Sequence, residues 1–119
     1  MLTLICGLPN SGKSTLSEQY PNVIHLDDVM SYRKVAEMVS TSDDVTVEGI
    51  YIIHQTRREL ANAYKGDKKV CIWLDVPMEE CLARENRGRS KLFIRNCAML
   101  FEPPTYDEGW NEIIVMRGE

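Results

Sequence analysis

Nine residues constrain this chain more than any others: Gly7-Leu8-Pro9-Asn10-Ser11-Gly12-Lys13-Ser14-Thr15. Glycine, four residues of any type, glycine, lysine and then serine is the spacing of a phosphate-binding loop. Gly7 and Gly12 let the backbone turn freely and approach a phosphate closely. Successive N–H groups of such a loop, those of Asn10 and Ser11 among them, converge into an anion nest. A helix beginning near Lys13 adds the positive end of its dipole. In this pattern the Lys13 ammonium reaches the outer phosphates and the Ser14 hydroxyl holds Mg2+. Thr15 completes the binding loop and is expected to pack. The flanks suit the motif: Leu2–Cys6 reads as a short apolar strand, and the residues up to Tyr20 as a helix stopped by Pro21.

The strand–helix alternation continues. Asn22–Leu26 reads as a second strand ending in Asp27-Asp28, and ligands of open parallel sheets sit beyond the carboxyl ends of strands. One aspartate can cap a helix over residues 29–39 while the other acts chemically. His25 reads as a packed strand residue. After a polar turn, Val45–Gly49 forms a third strand. Its Glu48 carboxylate is placed to order the water shell of Mg2+, and Gly49 suggests a tight exit with room for substrate. Tyr51–Tyr64 reads as a helix with Arg57 and Arg58 on its solvated face.

Lys69–Val76 is a buried strand. Pro77 and Glu79-Glu80 open the next helix. It runs into Arg84-Glu85-Asn86-Arg87-Gly88-Arg89, which reads either as a lid closing positive charge on a migrating phosphate or as a basic surface turn. A helix over residues 90–100 and a proline-broken loop over 102–109 lead to a fifth strand around Ile113-Ile114-Val115. The whole predicts an α/β fold: a compact, doubly wound, five-stranded parallel sheet in a single domain, residues 1–119.

Composition narrows the function. The net charge is −4, from 14 basic and 18 acidic residues, which argues against the basic face that a long nucleic-acid footprint needs. No apolar run reaches the ~20 residues of a membrane span, and a leader peptide is not expected. The cysteines, Cys6, Cys71, Cys81 and Cys97, lack CxxC spacing. They read as buried hydrophobes of a cytoplasmic protein rather than a zinc or disulfide set.

The phosphate loop, the strand ending in Asp27-Asp28, the Arg-rich segment after Leu74-Asp75-Val76-Pro77, and the tail Phe101-Glu102-Pro103-Pro104 with Glu108-Gly109-Trp110 occur in this order. Together they resemble the phosphate-loop kinases of the phage-type polynucleotide kinase group, over nearly the whole chain. The resemblance implies ATP and Mg2+ as cofactors and a 5′-hydroxyl of a polynucleotide or nucleotide as acceptor. It implies Asp27 as the base that takes the hydroxyl proton, Lys13 and Ser14 on phosphate and metal, and Arg87, with Arg84 as a second candidate, as the lid arginine. Three residues after Asp27, where the polynucleotide kinases carry arginine, this chain has Met30; the nearest basic residues are Arg33 and Lys34. A kinase for another small hydroxylated molecule, and a nucleotide-binding interaction protein without transfer, are the alternative readings.

Overall fold

The computed structural model describes residues 1–84 and 89–117. Five strands, β1 (Leu2–Gly7), β2 (Val23–His25), β3 (Val45–Gly49), β4 (Lys69–Asp75) and β5 (Glu112–Arg117), form one sheet in the order β2-β3-β1-β4-β5. Every neighbouring pair is parallel. β1 and β3 are buried along their entire lengths, as continuous apolar strands covered on both faces must be. Side chains alternate between the faces. Leu2, Leu4 and Cys6 join the larger core with Val35, Val39 and Leu60, whereas Ile5 joins Val70, Ile72 and Leu74 on the opposite face. The chain leaves β1 for β2 and β3 on one side, then crosses to β4 and β5 on the other. That reversal opens a crevice at the carboxyl ends of β1 and β3.

The helices are α1 (Lys13–Ser17), α2 (Leu26–Val29), α3 (Tyr32–Ser40), α4 (His54–Ala63), α5 (Met78–Ala83) and α6 (Lys91–Leu100), with a 3-10 turn at Tyr106–Glu108. Three of them differ from the sequence expectation for local reasons. α1 stops at Ser17, and the N–H groups of Glu18, Gln19 and Tyr20 donate three residues back, to Thr15, Leu16 and Ser17. This tightened turn carries the chain to Pro21, which disfavours helical backbone at Tyr20.

The helix expected over 29–39 is split. α2 ends at Met30, whose backbone is left-handed (φ 62°), and α3 begins after Ser31, whose side chain accepts from Lys34 N at 3.2 Å. Ser31 rather than an aspartate is therefore the cap of α3. α4 begins at His54 and not Tyr51, because Tyr51 is drawn into the core. Its first turn is capped from far along the chain: Glu102 Oε1 accepts from His54 N at 2.7 Å, and Glu102 N donates to Ile52 O at 2.7 Å.

Arg57 corrects another expectation. It is fully buried, while Arg58 is exposed as expected. Its Nε and Nη2 grip Glu108 Oε1 and Oε2 at 2.8 and 2.9 Å. Nη1 donates to Tyr51 O at 2.8 Å and Nη2 to Glu102 O at 2.5 Å. Glu108, 1% exposed, also accepts from Trp110 Nε1 at 3.0 Å and faces His54 Nδ1 at 2.5 Å. Burial alone would raise the Glu108 pKa, but the hydrogen bonds from Arg57, His54 and Trp110 hold it below its ordinary value. This network pins the tail 102–110 to α4.

All four cysteines are free and buried, with Cys6 and Cys71 sulfurs 3.8 Å apart on neighbouring strands. Among the described residues, no helix is long and apolar enough to cross a membrane.

Candidate functional site

A cleft of about 390 Å³ opens at the carboxyl ends of β1 and β3. Of the residues expected from sequence, Asn10, Gly12, Lys13, Ser14, Thr15, Asp27, Glu48 and Arg84 line it. Pro9, Gly49, Ile50 and Arg89 line it as well. Arg87 lies outside the described residues.

The loop leaves β1 under tight constraint. A Cβ on Gly7 would meet Leu74 O and Ser11 Oγ, each at 2.8 Å, so the close packing of loop against β4 admits only glycine. Asn10 (φ 66°) and Gly12 (φ 100°) turn the chain through left-handed backbone, a conformation that Asn and Gly adopt most readily. Asn10 Nδ2 donates to Cys81 O at 3.3 Å, tying the loop to α5.

Two polar groups of the loop are left with little compensation, and of these Lys13 lines the cleft. The buried Ser11 hydroxyl has no hydrogen-bond partner among the described residues, although buried polar atoms are ordinarily paired. Lys13 is 7% exposed and its Nζ donates to a neutral group, Leu8 O, at 2.8 Å. Burial pushes the Lys13 pKa below its ordinary 10.5, against the opposing pull of the Glu48 carboxylate. A desolvated ammonium without a contacting anion is costly, and a phosphate would relieve that cost. Ser14 and Thr15 are exposed and face the cleft. Thr15 therefore does not pack as expected, because α1 is short and its first turn forms the cleft wall.

The acids come from the end of β3 and from α2, the short helix that follows β2. The β2–β3 register sets His25 opposite Glu48, and His25 Nδ1 lies 2.8 Å from Glu48 Oε2. Glu48 is nearly buried, so this contact fixes the direction of its carboxylate. Asp27 stands in α2 rather than at a strand end and is 65% exposed. Arg89 Nη2 donates to its Oδ2 at 2.6 Å. An exposed pair of this kind is worth about 0–1 kcal/mol, so a ligand can displace it readily.

Gly49, expected to leave room for substrate, lines the cleft, but its Cβ side is filled. A Cβ on Gly49 would meet Leu26 Cβ at 2.5 Å. The glycine thus admits Leu26, and Leu26 sets the position of Asp27 next to it. Asp28 is exposed and does not line the cleft.

Arg84 approaches from α5, with Nη1 donating to Asn10 O at 2.8 Å and Nη2 to Glu80 Oε1 at 2.9 Å. Arg89 was expected only as part of the basic run, and His25 as a packed strand residue, yet His25 is part-exposed beside Glu48. The partner of Arg89 lies 62 residues away. His25 gains its partner through strand register, which no local pattern shows. Among the described residues, no three His, Cys, Asp or Glu side chains converge on a metal position. A Mg2+ ion bound with nucleotide needs no such cluster, since it keeps several waters and takes one or two protein oxygens beside the phosphates. The Ser14 hydroxyl and the Glu48 carboxylate fit that requirement.

No protein-family model matches the chain, and no curated protein matches it. Solved structures do match in fold. A gluconokinase from Sinorhizobium meliloti 1021 superposes with a TM-score of 0.74 over 97% of this chain and 81% of that one, at 14% identity. A sugar kinase from Janibacter sp. HTCC2649 gives 0.70 over 98% of this chain and 84% of that one, at 15% identity. At such identities the likeness is one of fold, and it agrees with the α/β class and parallel sheet expected from sequence.

Proposed function

We propose that this protein is a Mg2+-dependent kinase that transfers the γ-phosphate of ATP to a hydroxyl of a small polyhydroxylated molecule. The observation that carries this is Lys13, a buried ammonium held by a neutral carbonyl, facing Asp27 and Glu48 across one cleft. The loop amides, Lys13 and Arg84 bind and orient the phosphates. Ser14 and Glu48 would hold Mg2+ and its waters, and the ion supplies neutralisation of phosphate charge when bound. Asp27 takes the proton of the acceptor hydroxyl as that oxygen bonds to the γ-phosphorus. The bond from phosphorus to the β–γ bridging oxygen breaks, and ADP leaves with the electron pair. Such a reaction asks the protein chiefly for positioning and charge stabilisation.

Three observations support a small acceptor. No aromatic side chain lines the cleft among the described residues, whereas single-stranded nucleic acids are commonly held by stacking on aromatics. The net charge is −4. The two fold relatives bear the names gluconokinase and sugar kinase. The second reading, a 5′-hydroxyl of a nucleic acid, is favoured by the order of the phosphate loop, Asp27, the arginine run and the Glu102-Pro103-Pro104 tail. Transfer from γ-labelled ATP to sugars, sugar acids, polyols, nucleosides and 5′-hydroxyl oligonucleotides separates the readings. Label on the small polyhydroxylated molecules is expected. Label confined to oligonucleotides would establish the second reading, and label on no acceptor would end the kinase proposal.

A further inference from the structure

Among the described residues, two arginines line the cleft, one on each side. Arg84 meets the phosphate loop at Asn10 O, 2.8 Å away. Arg89 meets Asp27 Oδ2 at 2.6 Å, on the side where an acceptor hydroxyl must lie if Asp27 is to take its proton. We propose that Arg89 is a specificity-determining residue that binds a carboxylate of the acceptor, and that the acceptor is therefore a hydroxy acid of the sugar-acid type. The inference rests on the kinase reading above.

Charge bookkeeping within the cleft leads there. Among the described residues, the charged ones lining it are Lys13, Arg84 and Arg89 against Asp27 and Glu48. ATP occupies Lys13 and Arg84, and Glu48 serves the metal side. Asp27 and Arg89 remain, paired with each other. An acceptor that enters between them breaks this pair. A neutral acceptor leaves the guanidinium without its counter-charge. An acceptor carboxylate replaces Asp27 like for like, and Asp27 Oδ2 becomes available to the hydroxyl.

The chemical step strengthens the requirement. As the acceptor oxygen bonds to phosphorus, its proton passes to Asp27, which becomes neutral and ceases to be a counter-ion. A carboxylate on the acceptor keeps Arg89 paired throughout. Arginine suits the task, because its planar fork matches a carboxylate with two parallel hydrogen bonds. A carboxylate is also what it holds in the structure.

The test compares matched acid and neutral acceptors, D-gluconate with D-glucitol and D-xylonate with D-xylitol, on wild type, Arg89→Met and Arg89→Lys. Wild type should favour each acid in kcat/KM by about 10- to 100-fold, the worth of a charge-assisted hydrogen-bonded contact. Arg89→Met should lose the preference through a raised KM for the acid, with the KM for ATP little changed. Arg89→Lys should fall between, since it keeps the charge and loses the fork. Titration of D-gluconate into protein loaded with a non-hydrolysable ATP analogue should show the same loss of affinity without turnover.

Arg89 is part-exposed, so both variants should melt near wild type. Equal use of acids and neutral polyols by wild type would overturn the inference and leave the kinase reading intact. So would an Arg89→Met variant that loses ATP affinity or slows both acceptor classes alike, because the arginine would then serve the migrating phosphate. Failure of every acceptor, with the analogue still bound, would remove the kinase reading and this inference together.

Discussion

Glu108→Gln keeps the shape of the buried network and removes its negative charge. Arg57, with no exposed surface, would then hold an uncompensated guanidinium against two backbone carbonyls and an amide. Removing one partner of a buried pair costs about 3–5 kcal/mol. Domains of this size are stable by only about 5–15 kcal/mol, so the change should take away roughly a fifth or more of the total. The melting temperature should drop by roughly 10–20 °C. Urea unfolding gives the magnitude, and a double-mutant cycle with Arg57→Met isolates the coupling. The double replacement Arg57→Met with Glu108→Leu should recover most of the loss, because no buried charge is then left alone.

The pH dependence supplies a second readout. The Glu108 pKa is held below its ordinary 4.5 in the folded protein. Its contribution is therefore complete above 4.5 and is lost as pH falls through the folded value. Glu108→Gln should flatten the acid limb of the stability profile. A cost below ~1 kcal/mol, the range of a solvated surface pair, with an unchanged acid limb, would refute the reasoning.

Two further predictions concern the cleft. Because burial lowers the Lys13 pKa below 10.5, and a bound phosphate would raise it again, ATP should bind with proton uptake at alkaline pH and weaken as pH rises through the free value. Calorimetry in buffers of different ionisation enthalpy measures this, and Lys13→Met should abolish the uptake and weaken ATP about 10- to 100-fold. Gly49→Ala forces a methyl against Leu26, so it should cost about 1–3 kcal/mol of stability and displace Asp27. Acceptor turnover should fall while nucleotide affinity, measured by titration, is retained.

The sheet was legible in the sequence because each strand is a local signal. Leu2–Cys6, Val45–Gly49 and Lys69–Val76 are short strand-like runs bounded by Gly, Pro or polar turns, and all three contain strands, the last ending at Asp75. The phosphate loop was legible for the same reason, its chemistry being packed into consecutive residues. What escaped depends on distant partners. Arg57 looks like a helix-surface arginine until Glu108, 51 residues on, folds over it. Tyr51 continues a helical pattern until the core claims it and Glu102 caps the next turn. His25 becomes part of the site through the register that sets it beside Glu48. Gly49 was read as a tight exit with room for substrate, and the group against its Cβ side is Leu26, a contact that required the geometry of α2.

In the proposed reaction Asp27 takes the acceptor's proton while the loop holds the nucleotide. Single-turnover transfer and Mg2+-ATP affinity, measured side by side for Asp27→Asn and Asp28→Asn, test it most directly. Asp27→Asn should slow transfer by about 10²- to 10⁴-fold, the usual worth of a positioned base, with nucleotide affinity little changed because Lys13, Ser14 and the loop amides remain. Asp28→Asn should do far less, since its side chain does not line the cleft. A larger loss from Asp28→Asn, or wild-type transfer by the Asp27 variant, would contradict the account.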